Sequence, residues 1–335
     1  NKFFTSLCLL FTLIGLASDN LELGVPGEAD QIVDREGYAL GYCEAWEQPR
    51  WVAYRLTTDE VLNQATKRID NFQPDPAIRT GSATSEDYRG SGYDRGHLAP
   101  AADMKWSSQA MLECFYMSNM SPQDRACNAG IWNEIENTVR GFSISEKRVF
   151  IVTGPAIGKN PKTIGANKVA VPDGFYKVVF DETAPQKMIA FYVPNRPMPG
   201  KPSDYACPVD KIEEITGLDF FSKLPAQTQA ALESTIDLKA WNWSKSQNSY
   251  SQPKQQAVSK NDVKLPAYRK EYRAGSQMPV GSRTAAPVCE DWPDTGYWLS
   301  TNSDKRHNQN CENYRKTRGY PCTKNEGSPC GKCGG

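Results

Sequence analysis

Histidine is scarce in this sequence, with two residues, His97 and His307, among 335. An enzyme that uses an imidazole base near neutral pH therefore has two candidates. The chain also lacks an excess of positive charge, because 39 basic residues balance 39 acidic ones. This balance argues against a strongly basic protein that coats nucleic acid. A polyanionic partner would have to be held by a local cluster of charges.

Long apolar segments are missing except at the N-terminus. Residues 3–16 form a mainly apolar run behind Lys2, and Gly15-Leu16-Ala17 provides small residues for cleavage. This pattern predicts a signal peptide over residues 1–17 and a secreted or periplasmic protein without a membrane span. The alternative is a buried N-terminal strand or helix.

Composition divides the remainder of the chain into two parts. Residues 244–262 are rich in Ser, Gln, Asn and Lys, which is typical of a flexible linker. We therefore expect a main domain over residues 18–243 and a small Cys-rich module over residues 263–335.

Short apolar runs and turn residues predict the elements of the main domain. We expect strands over residues 51–56, 149–152, 175–180 and 188–193. We expect a helix over residues 128–141, and over residues 209–224 a helix followed by a turn at Gly217. The Pro- and Gly-rich residues 70–92 predict an extended surface loop.

His97 lies in the segment Asp94-Arg95-Gly96-His97. In an extended segment, Arg95 and His97 project to the same side. Gly96 between them permits close approach to the backbone. The segment is therefore a candidate site, although a lone histidine is more often an ordinary, partly buried residue.

A second set of polar residues follows at helical spacing. Asn128, Trp132, Glu136 and Arg140 are four residues apart, so a regular helix would place them on one face. An amide oxygen of Asn128 suits a hard cation, and Asn128 is equally suited to cap the helix. Glu136 and Arg140 could alternatively form a solvated ion pair of little energetic value.

The ordered motifs together resemble a known family. Asp94-Arg95-Gly96-His97, Ser118-Asn119 and Pro122-Gln123, then Asn128 with Trp132 and Glu136, resemble the endonuclease G-like DNA/RNA non-specific endonucleases. These belong to the ββα-metal, or His-Me finger, group. The resemblance runs from about residue 51 to about residue 224. With the predicted elements it implies an α+β fold, in which helices flank a central antiparallel sheet and a ββα-metal finger forms the active site.

The resemblance implies a role for each matched residue. His97 matches the general base, and Asn128 matches the ligand of a single divalent ion, Mg²⁺ or Mn²⁺. Glu136 matches a carboxylate that holds water beside this ion, and Asn119 matches a residue that supports the site. Each role is an expectation carried by the matching position.

Arginines are expected to bind the phosphate. Arg95 and Arg140 match arginines near the phosphate in the family, and Arg68 matches a third one more loosely, whereas Asp94 is expected to be structural. Contacts to phosphate carry no sequence information directly. The resemblance therefore implies a secreted Mg²⁺-dependent endonuclease that hydrolyses DNA and RNA with little sequence selectivity and leaves 5′-phosphate ends.

The C-terminal module concentrates potential metal ligands. His307, Cys311 and Cys322 precede Cys330-Gly331-Lys332-Cys333, a spacing that can place two thiolates on one Zn²⁺ ion. Disulfides are the alternative in an exported chain. Nine cysteines would remain after the signal peptide, so at least one would be without an internal disulfide partner.

Two other functions compete with the enzyme hypothesis. One is a catalytically weak nucleic-acid-binding protein of the same fold, and the other is a delivered nuclease toxin. The presence of His97, Asn128 and Glu136 favours the enzyme. The sequence does not set the oligomeric state.

Overall fold

The computed structural model describes residues 19–243 and the backbone of four short strands nearer the C-terminus. The chain divides into two compact units, residues 1–255 and residues 256–335. The predicted signal peptide and linker lie outside the described residues, so their boundaries stay predictions.

Eleven strands form the sheets of the first unit. They are β1 (Gln31–Asp34), β2 (Ala39–Cys43), β3 (Gln48–Thr57), β4 (Asp94–His97), β5 (Met120–Gln123), β6 (Arg148–Ala156), β7 (Thr163–Ile164), β8 (Val169–Ala170), β9 (Gly174–Asp181), β10 (Lys187–Pro194) and β11 (Ala206–Cys207). Seven of them form one sheet in the order β1-β2-β3-β6-β9-β10-β11. Every neighbouring pair in this sheet is antiparallel. Strand β6 is central, and its Ile151 lies opposite Tyr54 on β3 and Val179 on β9.

Seven α-helices accompany the strands in the described residues. They are α1 (Thr58–Leu62), α2 (Ser85–Tyr88), α3 (Ser108–Glu113), α4 (Arg125–Cys127), α5 (Asn133–Ser145), α6 (Val209–Thr216) and α7 (Ala226–Glu233). A π-helical turn covers Asn128–Trp132, and 3₁₀ turns cover Asp19–Leu21, Ala101–Asp103, Met117–Asn119, Pro202–Tyr205 and Leu238–Ala240. Helix α6 ends at the predicted turn, because Gly217, with φ of 71°, adopts the left-handed conformation that ends many helices. Of the helices in this part of the chain, none is long and apolar enough to cross a membrane.

The large sheet is buried on both faces. Successive strand residues point to opposite faces, so Ile151 belongs to one apolar core while Val152 belongs to another. Helix α5 packs Ile135 and Val139 into the first core, and α6 packs Ile212 into the second. Each fully buried Ile or Val side chain contributes about 1.5–3 kcal/mol. Burial on both faces explains why residues 149–152, which were predicted to form a strand, are a continuous apolar run.

The segment over residues 70–92 differs from the predicted surface loop. Ile78 and Tyr88 are buried, and α2 lies within the segment. Asp75 is also buried, where it receives hydrogen bonds from the Arg35 guanidinium and the Ser118 hydroxyl. The buried carboxylate and its partners hold this segment against the domain.

The second unit contains a small sheet. Its strands are β12 (Tyr297–Ser300), β13 (Lys305–Asn308), β14 (Gly319–Pro321) and β15 (Ser328–Pro329), in the order β14-β12-β13-β15. His307 lies on β13 opposite Trp298 on β12. The predicted zinc ligands Cys311, Cys322, Cys330 and Cys333, and the His307 side chain, lie outside the described residues. The choice between zinc and disulfides therefore stays a prediction.

Candidate active site

A cavity of about 550 Å³ lies beside β4. Its lining contains three arginines and two aspartates, together with aromatic and small polar side chains. The lining residues are Arg68, Asp70, Phe72, Ser85, Tyr88, Arg89, Tyr93, Asp94, Arg95 and Asn128. The cavity thus contains three of the predicted site residues, namely Arg68, Arg95 and Asn128.

Strands β4 and β5 present the predicted motif. They pair antiparallel with His97 opposite Met120 and Gly96 opposite Ser121. A Cβ on Gly96 would lie 2.2 Å from Gln123 Oε1, so this position requires glycine to let the Gln123 side chain cross the strand. The glycine therefore makes room for a protein side chain, whereas the sequence analysis expected it to make room for a ligand.

The guanidiniums of two arginines lie over aromatic rings. The guanidinium carbon of Arg95 lies 3.9 Å from the centroid of Phe72, and its Nη1 donates a hydrogen bond of 3.2 Å to Ser85 Oγ. The guanidinium carbon of Arg68 lies 5.0 Å from the centroid of Phe115. A guanidinium has five N–H donors, so one hydrogen bond leaves others for an anion. The rings thereby orient both guanidiniums in the cavity, and Arg68 also forms an ion pair of 2.6 Å with Asp70 Oδ1.

The imidazole of His97 shares these aromatic rings. Its ring centroid lies 4.8 Å from that of Phe115 and 5.6 Å from that of Phe72. Its Nε2 is buried and has no hydrogen-bond partner in the structure. Burial, then the positive charges of Arg68 and Arg95, lower the pKa of His97 to about 3. The imidazole is therefore neutral at physiological pH and has a nitrogen without a hydrogen-bond partner.

Asn119 secures the backbone that follows His97. Its Nδ2 donates to the carbonyls of Ala99 and Cys114, at 2.9 Å each, and its Oδ1 accepts from the Ala99 N–H at 2.9 Å. The side chain is fully buried. It does not line the cavity, and its hydrogen bonds agree with the expected supporting role.

Asn128 has one end of its amide already engaged. Its Nδ2 donates a hydrogen bond of 3.1 Å to Asp94 Oδ2, which leaves the amide oxygen for another partner. The Asp94 carboxylate thus helps to orient the Asn128 side chain, and its role in function stays a prediction. An amide oxygen beside a carboxylate is a donor set that suits a hard divalent cation such as Mg²⁺. The residues present thus fit the ion that the resemblance implies.

The helix after β5 is not the regular helix that was predicted. Gly130 has φ of −101° and ψ of −119°, which are not helical angles, and residues 128–132 form a π-helical turn. Asn128 and Glu136 therefore do not share one regular helical face. The interruption lets Asn128 reach Asp94 and the cavity while α5 keeps its apolar side in the core.

Arg140 lies elsewhere than expected. It is 2% exposed, its Nη1 contacts Asp103 Oδ1 at 2.5 Å, and its Nη2 donates to Asn137 Oδ1 at 2.7 Å. The other oxygen of Asp103 accepts a hydrogen bond of 2.9 Å from the Tyr54 hydroxyl. We therefore correct the expectation that Arg140 contacts the phosphate. Its guanidinium serves the buried Asp103 carboxylate and does not line the cavity.

Glu136 and Lys177 belong to the same buried charge cluster. Burial raises the pKa of Glu136 to about 7, although the charges of Lys177 and Arg140 oppose this shift. Lys177 is fully buried on β9, its Nζ has no hydrogen-bond partner, and burial lowers its pKa to about 8. The sequence analysis missed Lys177. A lysine inside the apolar run 175–180 was the available indication, since a buried charge requires a partner.

These features define a class of site. A neutral imidazole with an unpartnered nitrogen can accept a proton, and the cavity-lining guanidiniums beside the same aromatic rings can hold an anion such as phosphate. The asparagine amide oxygen adds a ligand for a hard cation. The arrangement suits transfer of a phosphoryl group or cleavage of a phosphodiester bond.

Comparisons with known proteins agree with this class. The family model described as DNA/RNA non-specific endonuclease matches residues 16–227, and the chain belongs to this family. The chain is 36% identical over 221 residues to mitochondrial nuclease EXOG of Mus musculus, covering 61% of this chain and 60% of that protein. It is 36% identical over 223 residues to mitochondrial endonuclease G of Homo sapiens, covering 61% of this chain and 73% of that protein.

A solved structure confirms the likeness in fold. The crystal structure of the EndoG/EndoGI complex contains a chain with a TM-score of 0.57 and 33% sequence identity. The match covers 62% of this chain and 91% of that chain. The expected α+β architecture with a large antiparallel sheet and flanking helices is therefore confirmed.

The predicted location is wrong. Both named relatives are mitochondrial, which contradicts the secreted or periplasmic location predicted from residues 1–17. A basic residue followed by a short apolar run proved insufficient to establish export. Among the described residues, Cys43, Cys114, Cys127 and Cys207 are free thiols.

The buried pair predicts a large effect of Arg140 on stability. Arg140→Met leaves the Asp103 carboxylate buried without its cation, so we expect a loss of about 3–5 kcal/mol in the free energy of unfolding. Urea denaturation measures this loss. The exposed Arg125 provides a control, since Arg125→Met should change stability by less than about 0.5 kcal/mol. If Arg140→Met keeps its stability but loses substrate binding, the correction is wrong and Arg140 contacts the phosphate.

The surroundings of His97 predict its titration. With a pKa lowered from 6.5 to about 3, the folded chain should keep His97 neutral at pH 5. The unfolded chain binds a proton there, so the contribution of His97 to the free energy of unfolding declines as pH falls from 6.5 towards 3. Nuclear magnetic resonance of the imidazole, assigned with His307→Gln, measures the titration. A midpoint near pH 6.5 for His97 in the folded chain would contradict the described burial.

Proposed function

We propose that this chain is a Mg²⁺-dependent endonuclease, also active with Mn²⁺, that hydrolyses phosphodiester bonds of DNA and RNA with little sequence selectivity. One observation carries the proposal. The neutral imidazole of His97, with its unpartnered Nε2, lies against the same aromatic rings that orient Arg68 and Arg95. A proton acceptor and two anion-binding groups therefore converge at one position.

The arginines support binding through phosphate. Arg68, Arg89 and Arg95 line the cavity, and planar guanidiniums match the geometry of phosphate oxygens. Phosphate contacts are the same for every base and for both sugars. Low sequence selectivity and activity on both nucleic acids follow from this mode of binding. The net charge of zero makes this local cluster the source of attraction.

The bound phosphate would also adjust the base. In the free chain, the charges of Arg68 and Arg95 contribute to the low pKa of His97. A phosphate anion between the two guanidiniums offsets these charges, so the pKa of His97 rises when substrate binds. The imidazole then accepts a proton from the attacking water at Nε2. Asn119 keeps the backbone after His97 in place, and Asp94 keeps the Asn128 amide oriented.

Asn128 would hold the divalent cation through its amide oxygen. When bound there, the cation supplies charge stabilisation to the leaving O3′. We propose that Glu136 orients water near this position, as the family resemblance implies, and that products carry 5′-phosphate ends. The strand pair β4–β5 followed by the helical segment supports the ββα-metal finger as the description of this site.

The names of the relatives support a mitochondrial location for this chain. The chain covers 60% of mouse EXOG. Activity of the kind that the whole relative's name states is therefore a proposal for this chain. We propose that the module over residues 263–335 is stapled by zinc or by disulfides. Metal analysis of protein purified without chelator distinguishes the two.

The proposed chemistry predicts a loss of activity on removal of the base. His97→Ala should lower kcat on supercoiled plasmid in Mg²⁺ by about 10²–10⁴-fold, which is the usual contribution of a general base. The matched control is His307→Ala, which changes the other histidine of the chain and should retain activity. Loss of structure is checked by the melting temperature. Full activity of folded His97→Ala would overturn the assignment of the base.

The cation ligand is tested by its metal dependence. Asn128→Ala should raise the Mg²⁺ concentration for half-maximal cleavage by at least about tenfold, because the amide oxygen is removed. Asn133→Ala, at an exposed position on α5, serves as the control. An unchanged Mg²⁺ dependence of Asn128→Ala would place the cation elsewhere. Plasmid left intact by the wild-type chain in both Mg²⁺ and Mn²⁺ would instead favour the alternative of a nucleic-acid-binding protein.

Binding through phosphate predicts how replacement of Arg68 changes the affinity for DNA. Arg68→Met should weaken binding of all DNA sequences to a similar degree and reduce the slope of log affinity against log salt by about one. Fluorescence anisotropy with several oligonucleotides in EDTA measures both quantities without cleavage. Lys159→Met, an exposed cation outside the cavity lining, should leave the slope unchanged. A loss of affinity confined to one sequence would contradict recognition through phosphate.

A further inference from the structure

Three carboxylates converge on the other side of the large sheet from the active site. Asp210 and Glu213 lie on α6, and Glu233 is the last residue of α7. One oxygen from each residue lies within 4.8 Å of the others. Both helices pack against the second core, whereas Phe115 beside His97 belongs to the first core. The cluster is therefore separate from the catalytic cavity.

Glu233 is the unusual member of this cluster. It is 5% exposed, and its Oε1 is buried without a hydrogen-bond partner. A carboxylate oxygen in that state has given up its hydration without compensation. Because another oxygen-bearing side chain cannot donate to it when ionised, the neighbouring carboxylates do not relieve this cost. The missing partner must be a cation, a proton or a water molecule.

The surrounding charges make the need for a cation stronger. Among the described residues, no lysine or arginine forms an ion pair with any of the three carboxylates. Lys211, which lies between two of them in sequence, instead pairs with Glu214 at 2.7 Å. Burial, then the charges of Glu213, Asp219 and Asp210, raise the pKa of Glu233 to about 7. Negative charge thus accumulates here without a protein counter-ion.

Other groups around the cluster add to the negative charge or provide oxygen atoms. Asp219 follows α6 and acts on both Glu213 and Glu233. Glu213 Oε1 accepts a hydrogen bond of 2.9 Å from the Phe220 N–H, which orients its carboxylate. Asp210 is exposed, so the cluster opens to solvent on one side and an ion can enter. A buried carboxylate, an oriented one and an exposed one can together surround an ion that keeps some water.

We propose that Asp210, Glu213 and Glu233 form a structural binding site for a hard divalent cation, with Ca²⁺ as the preferred ion. Ca²⁺ accepts six to eight oxygen ligands in flexible geometry, and carboxylates are its usual protein ligands. Mg²⁺ gives up its water reluctantly and demands near-octahedral geometry, so it is the weaker competitor. The ion would join the first turn of α6 to the end of α7. Its role would be to stabilise the edge of the domain and not to take part in hydrolysis.

Thermal melting of the full chain with Ca²⁺ and with EDTA tests the site. At a Ca²⁺ concentration about a hundred times the dissociation constant, we expect the melting temperature to rise by about 5 °C or more. Asn128→Ala should show the same rise, because its substitution affects only the active-site cation. This arm separates the inference from the proposed function, since it does not depend on nuclease activity. Absence of a Ca²⁺-dependent rise in Asn128→Ala would overturn the proposal.

Variants of the cluster assign the ligands. Glu233→Gln and Asp210→Asn should each weaken Ca²⁺ affinity at least tenfold by calorimetry and reduce the rise in melting temperature. Glu214→Gln is the matched control, with the same change of charge on the same helix, and should bind Ca²⁺ normally. Without Ca²⁺, Glu233→Gln should melt above the wild type because repulsion and desolvation are relieved. Undiminished Ca²⁺ binding by both variants would refute the site.

The exposed Asp210 keeps the test decisive if Glu233→Gln fails to fold. Asp210→Asn removes one negative charge and leaves a neutral, weaker oxygen ligand, at an exposed position where a polar substitution leaves the core unchanged. Its loss of Ca²⁺ affinity relative to Glu214→Gln would support the site, and equal affinity would reject it. Repeating the melts with Mg²⁺ tests the preference between ions. A larger rise with Mg²⁺ than with Ca²⁺ would reject Ca²⁺ as the preferred ion.

Discussion

The ion pair between Arg140 and Asp103 joins the parts of the molecule that build the active site. Arg140 belongs to α5, the helix that follows Asn128, and Asp103 lies six residues after His97. The Tyr54 hydroxyl connects the pair to the large sheet. Because both charged groups are buried, separating them would leave a charge without a partner, which is far more costly than breaking a surface pair. The strand with the base and the helix after the cation ligand are therefore held in one arrangement.

The same principle, that a buried charge needs a partner, operates differently in the cavity. Arg68 and Arg95 lie over aromatic rings, which attract cations but do not cancel their charge. Burial, then the charges of these two guanidiniums, lower the pKa of His97, and Arg68 is also paired with Asp70. Binding of phosphate near these guanidiniums would therefore change the pKa of His97. In the proposed mechanism, a bound phosphate would offset the guanidinium charges and raise the pKa of His97, whereas the effect of burial would stay.

The sequence predicted the residues that depend on local order better than those that depend on distant partners. The order of His97, Asn119 and Asn128 along the chain identified the site, and the apolar runs located the central strands. The position of Arg140 could not be predicted, because its partner Asp103 is 37 residues away and spacing suggested a solvated pair. The loop over residues 70–92 was misjudged for the same reason, since Arg35 and Ser118 hold Asp75 from distant parts of the sequence.

The break at Gly130 shows that residues can have helical spacing in the sequence although the segment that contains them is not a regular helix. Four-residue spacing predicted that Asn128, Glu136 and Arg140 share one helical face, yet the non-helical angles of Gly130 mean that Asn128 does not lie on a regular helical face with the other two. In a regular helix, Asn128 would share a face with Glu136 and Arg140 and would point towards the buried charges around Lys177. The π-helical turn instead gives each polar residue its own environment. Asn128 reaches the cavity, where an amide oxygen is available to a cation, and Arg140 reaches the interior, where its charge is neutralised. One short segment thus serves catalysis at its start and stability at its end.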